Sequence, residues 1–476
     1  MRLKLWFFGI YFFGIFQCTA QSCQTLDQIL NEFSKTNNEL ITIKEKLKIQ
    51  NLKFRISQNK WKPNVKFDAV LPYSKSIESV ISGDGNVNFV KRNYLNPLLS
   101  VSASKKIPFT GGEIAVTGSL GLFQNFINSN RQYNANWFNI YISQPLFAYN
   151  NMKAERIKEK LSLGIDSIQY YLNKELKLKK MVETILEYEI GKQKIKYNEV
   201  QIEQANRLLQ RMKILLLNGR ALADDTLLIS YNLNKIKFEN EELIESIRTK
   251  QEFLSSQLQH IYNYSLCELA TLPVLKLDTT QLKQQYMKYG FQKELILDSF
   301  EVFENEKKMK KAHGINTSIS AGIGANNSSS TFNQLYNTPS QRQNISLNTS
   351  IPITGWQSYR YNVEIASIEQ QNFQRSKQDI DQQVTLWVKQ TYNQYNYYIK
   401  SYQLSIKKLS NMETLAKSVY KRYELGKVLY TDYNIVLNEM NTVQNELLDI
   451  IKQVLILRFE IRTKTLFDYY LEKEVF

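Results

Sequence analysis

The sequence predicts an internally duplicated α+β membrane protein, in which long helices form a coiled-coil-like barrel joined to a transmembrane β-barrel that protomers share. Three observations predict this fold class. Long stretches without proline carry apolar residues at helical spacing. Between them, apolar and polar residues alternate with a period of two, which is typical of strands with lipid on one side and water on the other. Two landmarks recur at a single offset, which indicates a duplicated half.

The N-terminus has the pattern of a secretory signal peptide. Arg2 and Lys4 precede a continuous apolar run, Leu5–Phe16, and Cys18-Thr19-Ala20 offers a small-residue cleavage site. The apolar run is too short to span a bilayer as a helix, and no later stretch approaches the necessary length. We therefore expect residues 1–20 to be removed and the mature protein to be exported.

Two cysteines remain after this cleavage, Cys23 and Cys267. Cys23 lies close to the new N-terminus, but Ala20-Gln21-Ser22 matches poorly with the residues that precede a lipid anchor. A disulfide between the pair has equally little support, because a single pair with one member at a chain end is weak evidence. Both alternatives stay open at the level of the sequence.

Four stretches are predicted to be helical because they lack proline and contain few glycines. They are residues 25–62, 149–262, 281–312 and 357–465. Their apolar residues step by three or four, as in Ile157, Leu161, Ile165 and Ile168 or in Val436, Met440, Val443 and Leu447. A helix from about residue 150 to residue 217 would be roughly 100 Å long. Helices of this length pack along coiled-coil-like seams and form an elongated bundle.

The segments between the helices are predicted to be strands that surround a pore. Apolar residues alternate with polar ones at 65–69, 99–104, 114–117, 138–143, 315–321 and 344–351. We expect Ile319, Ile345 and Leu347 to face lipid, whereas Ser318, Ser346 and Asn348 face the lumen. Aromatic residues at strand ends are candidates for interfacial girdles: Tyr73, Tyr94, Phe109, Trp137, Phe147 and Trp356. A protomer with four to six strands cannot close a pore alone, so symmetric assembly must close it.

The two halves of the chain share landmarks that lie 207 residues apart. Pro145 and Pro352 each follow a predicted strand and precede a long helix. Gly219 and Gly426 each interrupt a helical pattern and are followed by Leu and Asp at the same spacing. Each half is therefore predicted to contain a helix, strands, a long helix, a turn and a second long helix.

The first half contains a longer strand region than the second. The excess holds a predicted hairpin near 98–121, which turns at Gly111-Gly112. Residues 74–96 and 123–135 are rich in Ser, Asn and Gly and lack periodicity, so we predict that they are exposed loops.

These motifs occur in an order that is typical of one protein family. They are Thr25-Leu26-Asp27-Gln28-Ile29, Asn37-Asn38-Glu39-Leu40, the two strand-to-helix junctions and the two Gly-x-x-Leu-x-x-Asp turns. Over nearly all of the mature chain, the sequence resembles the TolC-like outer-membrane efflux protein family. The resemblance implies a homotrimer with a shared barrel and a periplasmic helical tunnel. That family has four strands per protomer, whereas this sequence offers six.

The resemblance also implies the domain organisation. We predict a signal peptide (1–20), N-terminal periplasmic helices (21–62), a first β-barrel segment (63–147), a first helical hairpin (148–262), an equatorial linker (263–280), a helix (281–312), a second β-barrel segment (313–354), a second helical hairpin (355–465) and a C-terminal tail (466–476).

By the same resemblance, the protein is a passive export duct of an efflux or type I secretion system. It would lie in the outer membrane of a bacterial cell, with its helical part in the periplasm. Its partners would be outer-membrane lipid, a periplasmic adaptor and an inner-membrane pump, which select the substrate. The alternative of a non-channel coiled-coil envelope scaffold or binding protein leaves the alternating strands unexplained. A secreted enzyme would need a catalytic site.

No such site is expected from the sequence, and neither are a cofactor or a metal. His260 and His313 stand alone, and no phosphate-binding loop is present. The formal net charge of +16 is attributed to lysines on solvated helix faces, so nucleic acid is not expected as a partner.

The resemblance places a gate at the periplasmic tip, where acidic residues ring the entrance of the closed duct. Asp432 matches such a position, and Asp225 is its counterpart in the first half. The family's second acidic position falls on Ile435, so the ring is expected to be thinner. Helix capping is the alternative role for both aspartates.

The turns around Gly219 and Gly426 would form this tip. Three copies of Asp432 around a narrow mouth would repel one another unless cations or basic side chains compensate. We therefore predict that Arg422 or Lys427 holds the closed tip, and that Asp432 binds passing cations.

Overall fold

The computed structural model describes residues 23–219, 222–260, 262, 265–269, 272, 274–312, 316–351, 353–425 and 427–475. The predicted signal peptide, His313, Pro352 and Gly426 lie outside the described residues. The chain divides into two compact units. One, called the helical unit here, comprises the described parts of Met1–Leu47, Ser167–Gln292 and Asp379–Phe476. The other, the sheet unit, comprises Lys48–Asp166 and Lys293–Gln378.

Long helices account for most of the described chain. They are α1 (Leu26–Thr36), α2 (Asn38–Asn59), α3 (Asn151–Leu217), α4 (Ala223–Leu258), α5 (Thr279–Gly290), α6 (Ser299–Ala312), α7 (Trp356–Glu424) and α8 (Tyr430–Thr465). A π-helical segment, Lys293–Asp298, precedes α6. The helix α1 begins with a reciprocal capping box between Thr25 and Gln28. Among the described helices, none combines the length and the hydropathy that crossing a membrane requires.

The strands are β1 (Cys23–Gln24), β2 (Asn64–Val70), β3 (Tyr73–Ile81), β4 (Val87–Leu95), β5 (Leu98–Ile107), β6 (Gly112–Asn125), β7 (Arg131–Pro145), β8 (Ser265–Leu266), β9 (Asn316–Ser329), β10 (Ser340–Ser350), β11 (Phe467–Asp468) and β12 (Lys473–Glu474). Eight of them, β2–β7 with β9 and β10, form one antiparallel sheet.

The large sheet is six strands wide. Its order from one edge is β10-β9-β7-β6, and β6 then pairs with β5, which pairs with β2. The predicted hairpin is present as β5 and β6, and Gly111 at its turn has a φ of +79°, which favours glycine. The remaining strands, β4 and β3, continue the ladder of β5 and β2 past Pro97 and Pro72. Only the last two residues of β4 reach β6, as the pairs Tyr94–Asn125 and Leu95–Gln124.

The prediction of exposed loops at 74–96 and 123–135 is wrong. The first range forms the hairpin β3–β4, and most of the second extends β6 and β7. The hairpin could not be predicted because most of its side chains are exposed on both faces. Burial therefore imposes no alternation of apolar and polar residues on its strands. Its continuity with the sheet is maintained by the Asn96 amide, which donates to the Pro72 carbonyl at 3.0 Å.

The helical unit has its own apolar core. Fully buried residues of α1, α3, α4 and α8 meet there, among them Leu26, Ile29, Val182, Ile185, Leu254, Leu455 and Phe459. Burying a side chain of this size contributes about 1.5–3 kcal/mol. Chain segments distant in sequence join this core through the parallel pairing of β1 with β8. Directly after β8, the sulfur of Cys267 is part of a disulfide.

Candidate functional site

The large sheet has one face that is mainly apolar on all six strands, called the apolar face here; Lys105, Gln144 and Gln343 are polar exceptions near strand ends. The register places Leu347 opposite Ile319 and Phe67 opposite Val101. Its members are Val65, Phe67, Ala69, Leu99, Val101, Ala103, Ile114, Val116, Leu120, Phe138, Ile140, Ile142, Ile319, Ala321, Ile323, Ile345 and Leu347. Ile345 is 79% exposed and Phe67 66%, so nothing in the described chain covers this face. An uncovered apolar surface of this extent marks contact with a partner or with lipid.

The opposite face, called the polar face, carries hydroxyl, amide and charged side chains. They include Lys66, Asp68, Ser100, Ser102, Ser104, Thr117, Asn139, Ser318, Ser320, Ser346 and Asn348. On this face the hydroxyl oxygens of Ser320 and Ser346 lie 2.7 Å apart. The structure therefore places the two predicted sets, the one with Leu347 and the one with Ser346, on opposite faces of the sheet.

Aromatic residues cluster at the two ends of the strands. Beyond the C-terminal ends of β5, β7 and β10 lie Phe109, Phe147 and Trp356, all exposed. At the other end, rings meet in pairs: Tyr73 with Phe126, Tyr94 with Phe123, Tyr133 with Phe332 and Trp137 with Tyr336. Of the six predicted girdle residues, Phe109, Phe147 and Trp356 thus lie at one end and Tyr73 and Tyr94 at the other. Trp137 lies within β7, beside Tyr336 of the β9–β10 connection.

The predicted tip residues lie at two corresponding turns of the helical unit. Gly219, with a φ of +66°, lies two residues after the end of α3, and Asp225 lies in the first turn of α4. Asp432 lies in the first turn of α8 and is exposed, whereas Asp225 is half-buried. A carboxylate in the first helical turn is favoured by the helix dipole, so both aspartates stabilise their helix starts.

The two basic residues of the predicted gate lie at the end of α7 and just after it. The Lys427 amide donates to the Arg422 carbonyl at 3.0 Å. Both side chains are exposed, and neither forms a salt bridge with another residue that the structure describes. A contact between these two side chains and the predicted acidic ring would therefore require the aspartates of another copy of the chain.

An ion pair that the sequence did not predict joins α3 to the end of α7. Arg211 of α3 places its Nη1 3.4 Å from Glu424 Oε1, and its Nη2 3.3 Å from the Glu424 carbonyl oxygen at the end of α7. The guanidinium thus binds both the side chain and the C-terminal backbone of the neighbouring helix, where a cation is favoured.

Next to this ion pair lies a cluster of four tyrosines, which the sequence did not predict either. Tyr423 stacks on Tyr433 with ring centroids 5.7 Å apart, and Tyr420 and Tyr430 contact the same two rings. Burial raises the pKa of the Tyr433 hydroxyl, so the group stays neutral. The available sequence signal was a repeated spacing of three residues. Tyr420 and Tyr423 lie near the end of α7, and Tyr430 and Tyr433 lie at the start of α8. The cluster packs on α3 and α4 and fixes the turns to one another.

A buried charge cluster lies elsewhere in the helical unit. The Arg458 Nη2 atom lies 2.8 Å from Asp27 Oδ2 and 2.7 Å from Asp468 Oδ2, and Arg458 is 2% exposed. Arg462 Nε binds Glu175 Oε2 at 2.6 Å. The cluster ties α1 and the C-terminal segment to α3 and α8. Its arginines and carboxylates bind each other, which suits a structural role.

In the part of the chain that the structure describes, no group of three His, Cys, Asp or Glu side chains could hold a metal ion. Residues 314–463 match the family model described as outer membrane efflux protein. The resemblance to TolC-like outer-membrane efflux proteins is thereby confirmed. No curated protein sequence matches the chain.

Solved structures share the fold of this chain. CusC is 12% identical with a TM-score of 0.65, over 93% of this chain and 92% of that chain. VceC, an outer membrane protein of Vibrio cholerae, is 11% identical with a TM-score of 0.59, over 93% and 95%. The Neisseria gonorrhoeae outer membrane channel MtrE in its open state is 11% identical with a TM-score of 0.59, over 92% and 88%. The predicted α+β fold class is confirmed by these matches.

Proposed function

We propose that the protein is a trimeric outer-membrane export duct, a passive channel that connects an inner-membrane pump and its periplasmic adaptor with the cell exterior. The apolar face carries the proposal. It continues over six strands and stays exposed, while the polar face lies behind it. In an outer membrane the apolar face would contact lipid, and the polar face would line a water-filled lumen.

The aromatic residues at the two strand ends support this orientation. Aromatic girdles flank the apolar band of outer-membrane barrels at both interfaces, because amphipathic rings favour the headgroup level. Phe109 and Phe147 would mark one interface, and Tyr73 and Tyr94 the other.

Contact with an adaptor would occur at the two helix turns. Leu222 and Leu429, the residues before α4 and α8, are 67% and 63% exposed. They occupy corresponding positions of the two halves, so three copies would present six such leucines. Exposed leucines at the end of a helical tunnel fit an apolar contact with a periplasmic partner.

Reconstitution tests the duct. Detergent-extracted protein should have the native mass of three chains, and it should give discrete conductance steps in planar bilayers. A monomer that leaves the bilayer conductance unchanged would contradict the proposal.

The acidic turn residues are proposed to bind cations at the closed entrance. Replacing Asp432 with Ala should weaken the block by divalent cations applied from the periplasmic side, because three exposed carboxylates are lost. Glu241→Ala, at an exposed carboxylate of α4 away from the turn, is the matched control. The measurement is the concentration for half-maximal block in planar bilayers. Equal block in the wild type and Asp432→Ala would show that cations bind elsewhere.

The basic residues near the turns are proposed to hold the tip closed. Arg211→Glu should raise the resting conductance, because it replaces the Arg211–Glu424 contact between two helices with repulsion. Charge reversal at Arg422 or Lys427 should do the same if these exposed groups bind a neighbouring copy. Charge reversal at Lys235, on the exposed side of α4, should leave the conductance unchanged. A resting conductance that is the same in all of these variants would rule out this latch.

A further inference from the structure

We infer that each protomer contributes six strand positions to the wall of the duct, so that three copies form an eighteen-stranded barrel whose seam joins β2 of one copy to β10 of the next. The inference rests on the proposed trimeric duct and specifies its wall. It follows from the sheet edges, from the side-chain faces and from the pairing of β6.

The two edges of the sheet are open. Every residue of β2 and of β10 is exposed, and within the described chain each of these strands pairs on one side only. Their outer backbone amides and carbonyls therefore need partners, because unpaired backbone groups do not persist in the hydrocarbon region of a membrane. A second copy of the chain supplies a partner strand with the same alternation of apolar and polar side chains.

The strand directions fit this seam. All neighbours in the order β10-β9-β7-β6-β5-β2 are antiparallel, so β2 and β10 at the two ends run in opposite directions. When β2 of one copy lies beside β10 of the next, the seam is also antiparallel. The antiparallel pairing of strands then continues around the whole ring of three copies. A cyclic interface between different surfaces of neighbouring copies closes in this way.

The extra strand pair, β2 with β5, has the same two faces as the rest of the wall. Val65, Phe67 and Ala69 continue the apolar face, whereas Lys66 and Asp68 point with Ser100 and Ser102 to the polar face. A segment that lay outside the wall in water would have no reason to separate its charges from its apolar residues in register with the neighbouring strands. The strand pair β2–β5 is therefore part of the lipid-contacting wall.

The alternative is a twelve-stranded wall, in which β6 forms the seam and β2 and β5 lie apart. The structure disfavours it because the β5 side of β6 is already occupied. Ten residue pairs, from Leu98–Gly121 to Ile107–Gly112, join β6 to β5. Barrel diameter grows roughly linearly with strand number, so eighteen strands would give a lumen about 1.5 times as wide as twelve.

Cysteine cross-linking at the seam tests the inference. Asp68→Cys in β2 is combined in turn with Asn344→Cys, Ser346→Cys or Asn348→Cys in β10, all on the polar face. The full-length protein is oxidised in outer membranes and separated on non-reducing gels. We expect one of these combinations to give covalent dimers and trimers, while the single-cysteine variants remain monomeric on the gel.

A second series distinguishes the possible failures. Ser119→Cys in β6 is combined with the same three β10 positions. Cross-links in this series, with none from Asp68→Cys, would establish a β6 seam and overturn the wider wall while leaving the duct intact. A trimeric native mass with no cross-link in either series would likewise overturn the proposed seam. A monomeric native mass would overturn the proposed function itself.

Discussion

Replacing Arg458 with Met should destabilise the protein by about 3–5 kcal/mol, the typical result when one partner of a buried ion pair is removed. Arg458 lies at the centre of the buried charge cluster and binds both Asp27 and Asp468. Methionine fills most of the same volume but leaves the carboxylate of Asp468, which is 1% exposed, without its closest cation. Arg462, whose Nη1 lies 3.1 Å from Asp468 Oδ2, would be left to compensate this buried carboxylate alone, and incomplete compensation of a buried charge is costly.

The midpoint of denaturant-induced unfolding in detergent checks this prediction. Lys408→Met is the matched control, because Lys408 pairs with Glu446 at 3.1 Å on an exposed surface. Exposed pairs contribute about 0–1 kcal/mol, so the control should unfold near the wild-type midpoint. Equal midpoints for Arg458→Met and the wild type would show that the cluster contributes little to stability.

The same cluster predicts a loss of stability in acid. Burial alone would raise the pKa of the Asp468 carboxyl, but the hydrogen bonds and charges of Arg458 and Arg462 outweigh burial and hold this pKa below its ordinary value of 3.8. A carboxyl with a lowered folded-state pKa stabilises the protein above its unfolded pKa, and this contribution is lost as the pH falls further. Unfolding midpoints measured at pH 7 and below pH 4 should therefore differ more in the wild type than in Asp468→Asn.

Leu347→Arg should destabilise the inserted protein by about 2–4 kcal/mol if its position is near the bilayer midplane. Leu347 is 64% exposed on the apolar face and lies opposite Ile319. In the proposed orientation, the arginine would enter lipid. Refolding titrations into vesicles of outer-membrane lipid measure the difference in free energy of unfolding.

Ser346→Arg is the matched control for this variant, because the neighbouring residue lies on the polar face. It should fold as the wild type does and change the conductance by adding charge to the lumen. The water accessibility of residues 346 and 347 gives a second, independent comparison. A charged thiol reagent should label Ser346→Cys faster than Leu347→Cys, and equal labelling would show that the apolar face does not contact lipid.

Elements that depend on local residue patterns could be predicted from the sequence. The alternation from Asn344 to Ile351 follows from the period of a strand, and the observed register places its two sets of side chains on opposite faces. The helices follow from apolar spacing and from the absence of proline between residues 149 and 262. The hairpin turn at Gly111 follows from the conformational freedom of glycine.

Only the tertiary structure decided which distant residues meet. Arg458 binds Asp27 across 431 residues, and Arg211 binds Glu424 across 213. Nothing in the local spacing of these residues distinguishes them from the many other charged residues on helix faces. The hairpin β3–β4 was missed for the related reason that its exposed faces impose no pattern. Periodicity records which side of one element is buried, whereas a contact between elements depends on how their backbones pack in three dimensions.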